Sequence, residues 1–234
     1  MINLVSFMVY ENIILGIDVD NTLIFELNHF VSHVNDNIDP SFSYADWSEW
    51  DILKVFPEDE DKLIKFMKKY YSRKNIENMH LMDFSSDFLS RFKKENLYYI
   101  TARSFWLFKN PFEETLELLE LNNLPVKKEN LVLQKDSLTK MSKCKSLIAK
   151  EMGINLFIED NPENALKISE FCPVLLIDYP FNRNVNHEHI IRIGVFDDEK
   201  GDWKKNPWKH ALELLDSGEI DSIISSNFCS KQKK

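Results

Sequence analysis

The chain has 234 residues, 44% of them hydrophobic, enough to bury a substantial core either as one domain with an insertion or as two small ones. Its 38 acidic against 29 basic side chains leave a formal net charge of -9, which argues against a broad grip on polymeric nucleic acid yet allows local capture of a small anion. Three cysteines, Cys144, Cys172 and Cys229, show no CxxC or His-rich spacing, which points away from a disulfide framework or structural zinc and toward a reducing compartment.

In chain order, residues 1–17 are apolar but lack a basic leader and are broken by Asn3, Ser6, Tyr10, Glu11 and Asn12. No other stretch reaches transmembrane length, so the expectation is a cytoplasmic protein with no membrane partner. A buried-strand run over 13–18 then ends abruptly in Asp18 and Asp20. In an extended backbone these two share a face while Val19 points to the other. Two like charges at the end of a hydrophobic strand are costly unless a cation or a proton intervenes. The competing reading is a solvated acidic turn.

The next segment changes character. Leu27, Phe30, Val31 and Val34 follow helical spacing, as do Leu63, Phe66, Met67 and Tyr70, while Phe84, Phe88 and Phe92 recur every fourth residue and predict a third helix. The second of these follows Pro57 and opens on Glu58, Asp59, Glu60 and Asp61, acids that suit the positive end of a helix dipole. A right-handed crossover needs only one helix, so residues 24–96 are expected to form a helical cap, with 1–23 and 97–234 forming the core.

From there strands are predicted at 97–101, 131–134, 155–158 and 174–178, alternating with helices marked by Phe112, Leu116 and Leu119 and by Leu147 and Ile148. Asn161-Pro162 and Asn206-Pro207 each read as an N-cap followed by proline at the first helical position, and Gly218 suits the end of the last helix. Residues 179–203 read as a long loop with a short strand at 190–193. The alternation predicts an α/β fold, a parallel sheet flanked by helices, with ligands bound beyond the carboxyl ends of its strands.

Several polar residues sit at those ends. Asp-Val-Asp-Asn-Thr-Leu (18–23), Tyr-Ile-Thr-Ala-Arg (99–103), a lysine-rich helix start at 140–145 and Phe-Ile-Glu-Asp-Asn-Pro (157–162) occur in an order that resembles the four motifs of the haloacid dehalogenase-like (HAD) superfamily of phosphohydrolases. Ile-Thr-Ala-Arg, Ile-Glu-Asp-Asn-Pro-Glu-Asn-Ala (158–165) and Pro-Val-Leu-Leu-Ile-Asp-Tyr-Pro-Phe-Asn-Arg (173–183) are further similar to bacterial nucleotidases related to cytosolic 5'(3')-deoxyribonucleotidases. The resemblance runs from 13 to about 216 and skips the expected cap, so it speaks to reaction type more than to substrate.

It implies a Rossmann-like core and a Mg²⁺-dependent phosphomonoester hydrolase. Asp18 would be the nucleophile, Asp20 the acid and base, held protonated through the nearness of Asp18 and Asp160, and Lys145 the phosphate-facing cation, with Lys143 the competing assignment and Lys140 nearby. The metal would be held by Asp18, the main-chain oxygen of Asp20, and Asp160, with Glu159 behind them or acting through water. Thr101 and the backbone of Ala102 would meet the phosphate; Arg103 is open between a phosphate or substrate contact and a surface charge.

The implied substrate is a small phosphomonoester, with a nucleoside or deoxynucleoside monophosphate the best single candidate. The 3' end of a nucleic acid, another phosphometabolite, phosphomutase chemistry and a non-catalytic binding protein are the alternatives. Phe42, Tyr44, Trp47, Trp50 and Phe56 suit either the cap's own core or a stacking surface for a base. His29 and His33 are spaced i, i+4, but no third ligand is evident; His187 and His189 read as loop residues.

Overall fold

The structure is a computed structural model, and it describes residues 10–72, 79–103, 107–134 and 144–228, without the side chains of 226–228. Lys140, Lys143 and Cys229 lie outside the described residues.

After β1 (Leu15–Ile17) come α1 (Leu27–Asn37), α2 (Ile52–Val55), α3 (Glu60–Tyr70) and α4 (Ser85–Leu89), then β2 (Leu97–Thr101), α5 (Pro111–Leu121) and β3 (Leu131–Leu133). The chain continues through α6 (Lys145–Glu151), β4 (Leu156–Glu159), α7 (Pro162–Ser169), β5 (Val174–Ile177), β6 (Ile190–Ile193), β7 (Val195–Asp197), β8 (Asp202–Lys205), α8 (Pro207–Asp216) and α9 (Glu219–Phe228). β1 to β6 form one parallel sheet in the order β3-β2-β1-β4-β5-β6, and β7 pairs with β8 as an antiparallel hairpin. The α/β fold expected from the sequence, with helices inserted after the first strand, is therefore present. β1 lies between β2 and β4, with Ile17 in register with Tyr99 and Ile158, so the three strands end side by side where the strand order reverses.

Strand alternation builds the core. Leu15, Ile17, Leu97, Tyr99, Leu156, Ile158, Leu175 and Ile177 face a cluster shared with α1, α3 and α8, while Ile100, Phe157, Val174 and Leu176 face Ile148, Ala149, Ala165 and Ile168 of α6 and α7. Both faces are apolar, as a helix-covered parallel sheet requires. Gly16 makes room for the ring of Phe157, its neighbour on β4, which a Cβ there would strike. The Asn161 and Asn206 side chains cap α7 and α8 as expected, Asn161 accepting from Asn164 N at 3.0 Å and Asn206 from Trp208 N at 2.9 Å.

Three expectations are corrected. The Phe84–Phe88–Phe92 repeat does not mark one helix: Phe84 has φ 67°, incompatible with a right-handed helix, and α4 ends at Leu89. Residues 179–203 contain, besides the expected 190–193 strand, β7 and the first residues of β8. Gly218, at φ 76°, turns the chain from α8 into α9, so the helix before it is not the last.

Candidate active site

Asp18 leaves the sheet on a ladder bond, its N–H donating to the Ile158 carbonyl at 3.0 Å. The chain then turns tightly. The Val19 carbonyl accepts from the amides of Leu23 at 2.8 Å and Ile24 at 3.1 Å, and Asn21 takes the left-handed conformation, φ 55°, that Asn tolerates better than most residues. Val19 is buried in the core, while Asp18 and Asp20 both line one cavity of about 340 Å³ at the sheet's edge. Two remote side chains take the turn's free carbonyls: Tyr179 Oη donates to Asn21 O at 2.8 Å, and Trp208 Nε1 to Thr22 O at 2.9 Å.

Each aspartate has its own cation. Lys145, the first residue of α6, is 2% exposed and donates from Nζ to Asp18 Oδ1 at 2.5 Å and to Glu159 Oε2 at 3.0 Å. Burial works against this ammonium, but attraction from Asp18 and Glu159 carries its pKa above the ordinary lysine value. Burial pushes Asp18 up to about 7, with Lys145 opposing and Glu159 and Asp20 adding to the rise. Asp20 is instead gripped by Arg103, whose Nε lies 3.0 Å from both carboxylate oxygens and whose second guanidinium nitrogen lies 2.6 Å from Oδ1. Thr101, at the end of β2, donates to Asp20 Oδ2 at 3.4 Å.

The surface-charge alternative for Arg103 is overturned, since the guanidinium is buried, stands 4.9 Å over the Phe108 ring and reaches Thr115 at 3.4 Å. Arg103 and Thr101 are thus side-chain hydrogen-bond partners of Asp20.

At the end of β4, Glu159 and Asp160 lie beside Asp18, with one ligand atom from each of the three within 4.8 Å of the others. Among the described residues this is the cluster that could hold a metal ion. The three buried acids face a single ammonium, an excess of negative charge that a divalent cation would offset. Glu159 is already occupied, its Oε1 accepting from the amides of Asp160 at 3.3 Å and Asn161 at 3.1 Å and its Oε2 from Lys145. Asp160 is different: Oδ1 is buried without a hydrogen-bond partner, while Oδ2 accepts from Trp50 Nε1 at 3.1 Å. Burial, Asp18 and Glu159 push its pKa well above the ordinary carboxylate range, with Lys145 opposing. Asp160 Oδ1 therefore offers a free ligand atom, Asp18 Oδ2 accepts only a long bond from Thr22 Oγ1 at 3.4 Å among the described residues, and the donor set fits a hard, oxygen-seeking ion.

The inserted segment closes the cavity with Phe30, Trp47, Trp50, Leu53, Met67 and Tyr71. Of the aromatic run, Phe42 and Trp47 are buried, Trp47 packing 6.1 Å from Phe30 and 6.2 Å from Phe181, and Trp50 is half exposed. His33 stacks on Phe66 at 3.9 Å and the exposed His29 lies 5.1 Å from Tyr70; neither belongs to the metal-capable cluster. His187 and His189 lie in the loop before β6, with His189 Nδ1 2.8 Å from Ser169 O.

Two functional contacts had no sequence signal. Glu26 is fully buried beside the cavity, accepting from Tyr71 Oη at 2.5 Å, a pairing across 45 positions that no local pattern announces. Asn182 donates to Asp160 O and Ile177 O, both at 2.8 Å, fixing the backbone of the acidic pair; it sits inside the 173–183 run, but nothing in that run singles it out.

The chain is a distant homologue of bacterial nucleotidases. It is 27% identical over 196 residues to a protein of Halalkalibacterium halodurans described as "putative nucleotidase", covering 81% of this chain and 93% of that one. It is 28% identical over 193 residues to a nucleotidase of Clostridium acetobutylicum, covering 82% of this chain and 93% of the relative. No protein-family model matches the chain. Among solved structures it is similar to an apo phosphoserine phosphatase with a TM-score of 0.42 and 13% identity, covering 86% of this chain and 96% of that one, a level at which the likeness carries no argument. Among the described residues no helix is long and apolar enough to cross a membrane.

Proposed function

We propose that the protein is a Mg²⁺-dependent phosphomonoester hydrolase that works through an aspartyl-phosphate on Asp18, with a nucleoside or deoxynucleoside monophosphate as its substrate. The observation that carries this reading is the pairing at one strand end of a lysine-held aspartate, Asp18, with a neighbouring aspartate, Asp20, beside an acid, Asp160, that keeps one buried oxygen free. The nucleotidase relatives support the reaction class and suggest the substrate.

In this reading Asp18 and Asp160, with the main-chain oxygen of Asp20, hold the ion, which when bound offsets the repulsion between a carboxylate nucleophile and an anionic ester. An Asp18 oxygen forms a bond to phosphorus as the ester P–O bond breaks, and Asp20, once it has taken up a proton against the pull of the Arg103 guanidinium that holds it in the free chain, gives that proton to the departing alkoxide. Water then attacks the phosphorus, Asp20 takes up the water's proton, and the bond from phosphorus to Asp18 breaks. Lys145 offsets charge on Asp18 and the phosphoryl oxygens and is itself held by Glu159. Arg103 keeps Asp20 aimed into the cavity, with Thr101 and Ala102 completing the phosphate's surroundings. Residues 24–96 act as the cap over a core made of 1–23 and 97–234, and the apolar wall they present supplies selectivity.

Phosphate release should be measured with deoxynucleoside and ribonucleoside monophosphates, sugar phosphates and end-phosphorylated oligonucleotides, with and without Mg²⁺. Release from a mononucleotide that requires Mg²⁺ and falls by roughly 10⁴-fold or more in Asp18→Asn is the expected result, in line with removal of a nucleophile. No turnover of any substrate above the Asp18→Asn background would overturn the reading. Oligonucleotides processed far faster than mononucleotides, with a steep salt dependence, would overturn the substrate assignment alone.

A further inference from the structure

The Trp50–Asp160 hydrogen bond joins two parts of the molecule that are 110 positions apart in sequence. Trp50 itself is 43% exposed, but the segment carrying it is fixed at both sides. Trp47 is sunk among Phe30, Phe42 and Phe181, and Asp51 caps α2 by accepting from Leu53 N at 3.1 Å, with Ile52 buried behind it. Between these anchors the indole projects over the carboxyl end of β4 and donates to Asp160 Oδ2 at 3.1 Å. The Asp160 backbone is held separately, its carbonyl by Asn182 and its amide by Glu159. The carboxylate's orientation therefore depends on Trp50, and the oxygen that Trp50 does not take, Oδ1, is the buried one without a partner.

An indole N–H only donates and carries no charge, so it can fix one carboxylate oxygen without competing with a cation for the negative charge. We propose that Trp50 is a positioning residue for the metal centre: its N–H pins Oδ2 of Asp160 so that Oδ1 is presented to a divalent cation, and the inserted segment thereby sets how tightly the ion is held. The inference rests on the metal-dependent reading above and assigns to this tryptophan a role beyond lining the cavity. Partners behind a ligand that fix its orientation are typically worth 10–100-fold in metal affinity.

The test uses the full chain without substrate and magnesium chloride alone as the probe, titrating the Mg²⁺-dependent rise in unfolding temperature to obtain a dissociation constant. Trp50→Phe keeps an aromatic ring and deletes the donor; Asp160→Asn serves as the control for the ion itself. The expected result is a roughly 10–100-fold weaker Mg²⁺ constant in Trp50→Phe, with the metal-free unfolding temperature unchanged. If Trp50→Phe shifts the metal-free temperature, replacing the residue with benzothienylalanine, which exchanges only N–H for sulfur, should give the same weakening. Mg²⁺ binding within twofold of the wild type in the donor-free variants overturns the role of Trp50 and leaves the metal site standing. A wild-type chain that shows no Mg²⁺-dependent shift, or one whose shift Asp160→Asn leaves intact, overturns the metal reading and this inference with it.

Discussion

The strand-end edge and the inserted segment meet at one cavity but are held together by different forces. At the edge, Asp18, Lys145, Glu159, Asp20 and Arg103 are locked by charge-assisted hydrogen bonds on backbone already fixed by the sheet. The segment 24–96 is held by ring packing, Phe30 against Phe66 at 5.3 Å and Phe42 against Phe56 at 5.0 Å, and reaches the strand-end acids through the Trp50 N–H. Charged groups at the edge need exact partners because all of them but Asp20 are buried; apolar groups tolerate exchange so long as volume is kept. The edge is therefore suited to unchanging chemistry and the insertion to variable recognition.

The sharpest way to break this division is at Lys145. Lys145→Met leaves Asp18 and Glu159 buried without their cation and should lower metal-free stability by about 3–5 kcal/mol as well as abolishing phosphate release. Urea unfolding beside a turnover assay checks both; a variant as stable and as active as the wild type would mean the edge does not depend on its charges. The complementary cut is Leu53→Ala on the cavity's inserted wall. It should change the ratio of kcat/KM between two mononucleotides by about tenfold while leaving the Mg²⁺ constant alone, because reshaping an apolar pocket is worth about 1–3 kcal/mol in discrimination. Equal losses on every substrate would place the insertion in the chemistry rather than in selection.

Smaller, and confined to the edge, is a pH effect. In the metal-free chain burial raises Asp18 to about 7 and pushes Asp160 upward, so between the unfolded carboxylate value and those raised values the folded state binds more protons than the unfolded one. These two groups therefore lower stability as pH rises through that window. A cation must displace the same protons, so the Mg²⁺-induced gain in unfolding temperature should be larger at about pH 7.5 than at about pH 5.5. A gain that is flat or reversed across that interval would show that these acids are not the ones meeting the ion.

The same contrast explains what could be read from sequence. Asp18 stood out because its strand end is marked by a break in an apolar run, Thr101, Lys145 and Asp160 were picked out through the family resemblance, and Asn161 and Asn206 were legible because capping is local chemistry. The partner of Arg103 was not legible, since its pairing with Asp20 spans 83 positions and depends on β1 and β2 lying side by side. Nor were the roles of Glu26, Tyr71 and Trp50, whose side chains acquire meaning only through tertiary contact. The β7–β8 hairpin escaped because its strands span only 195–197 and 202–205, too few residues for a periodic pattern, and Phe84 misled because periodicity says nothing about a left-handed backbone.

The turn carrying Asp18 and Asp20 leaves two carbonyls to be taken by Tyr179 and Trp208. Synthesis runs from the amino end, so this loop leaves the ribosome long before the side chains that finish it. A growing chain thus carries Asp18 and Asp20 in an incomplete setting until the region around α8 has emerged and folded back. Assembly of this strand end is tied in this way to synthesis of much later residues: the earliest-made part of the cavity is among the last to be completed.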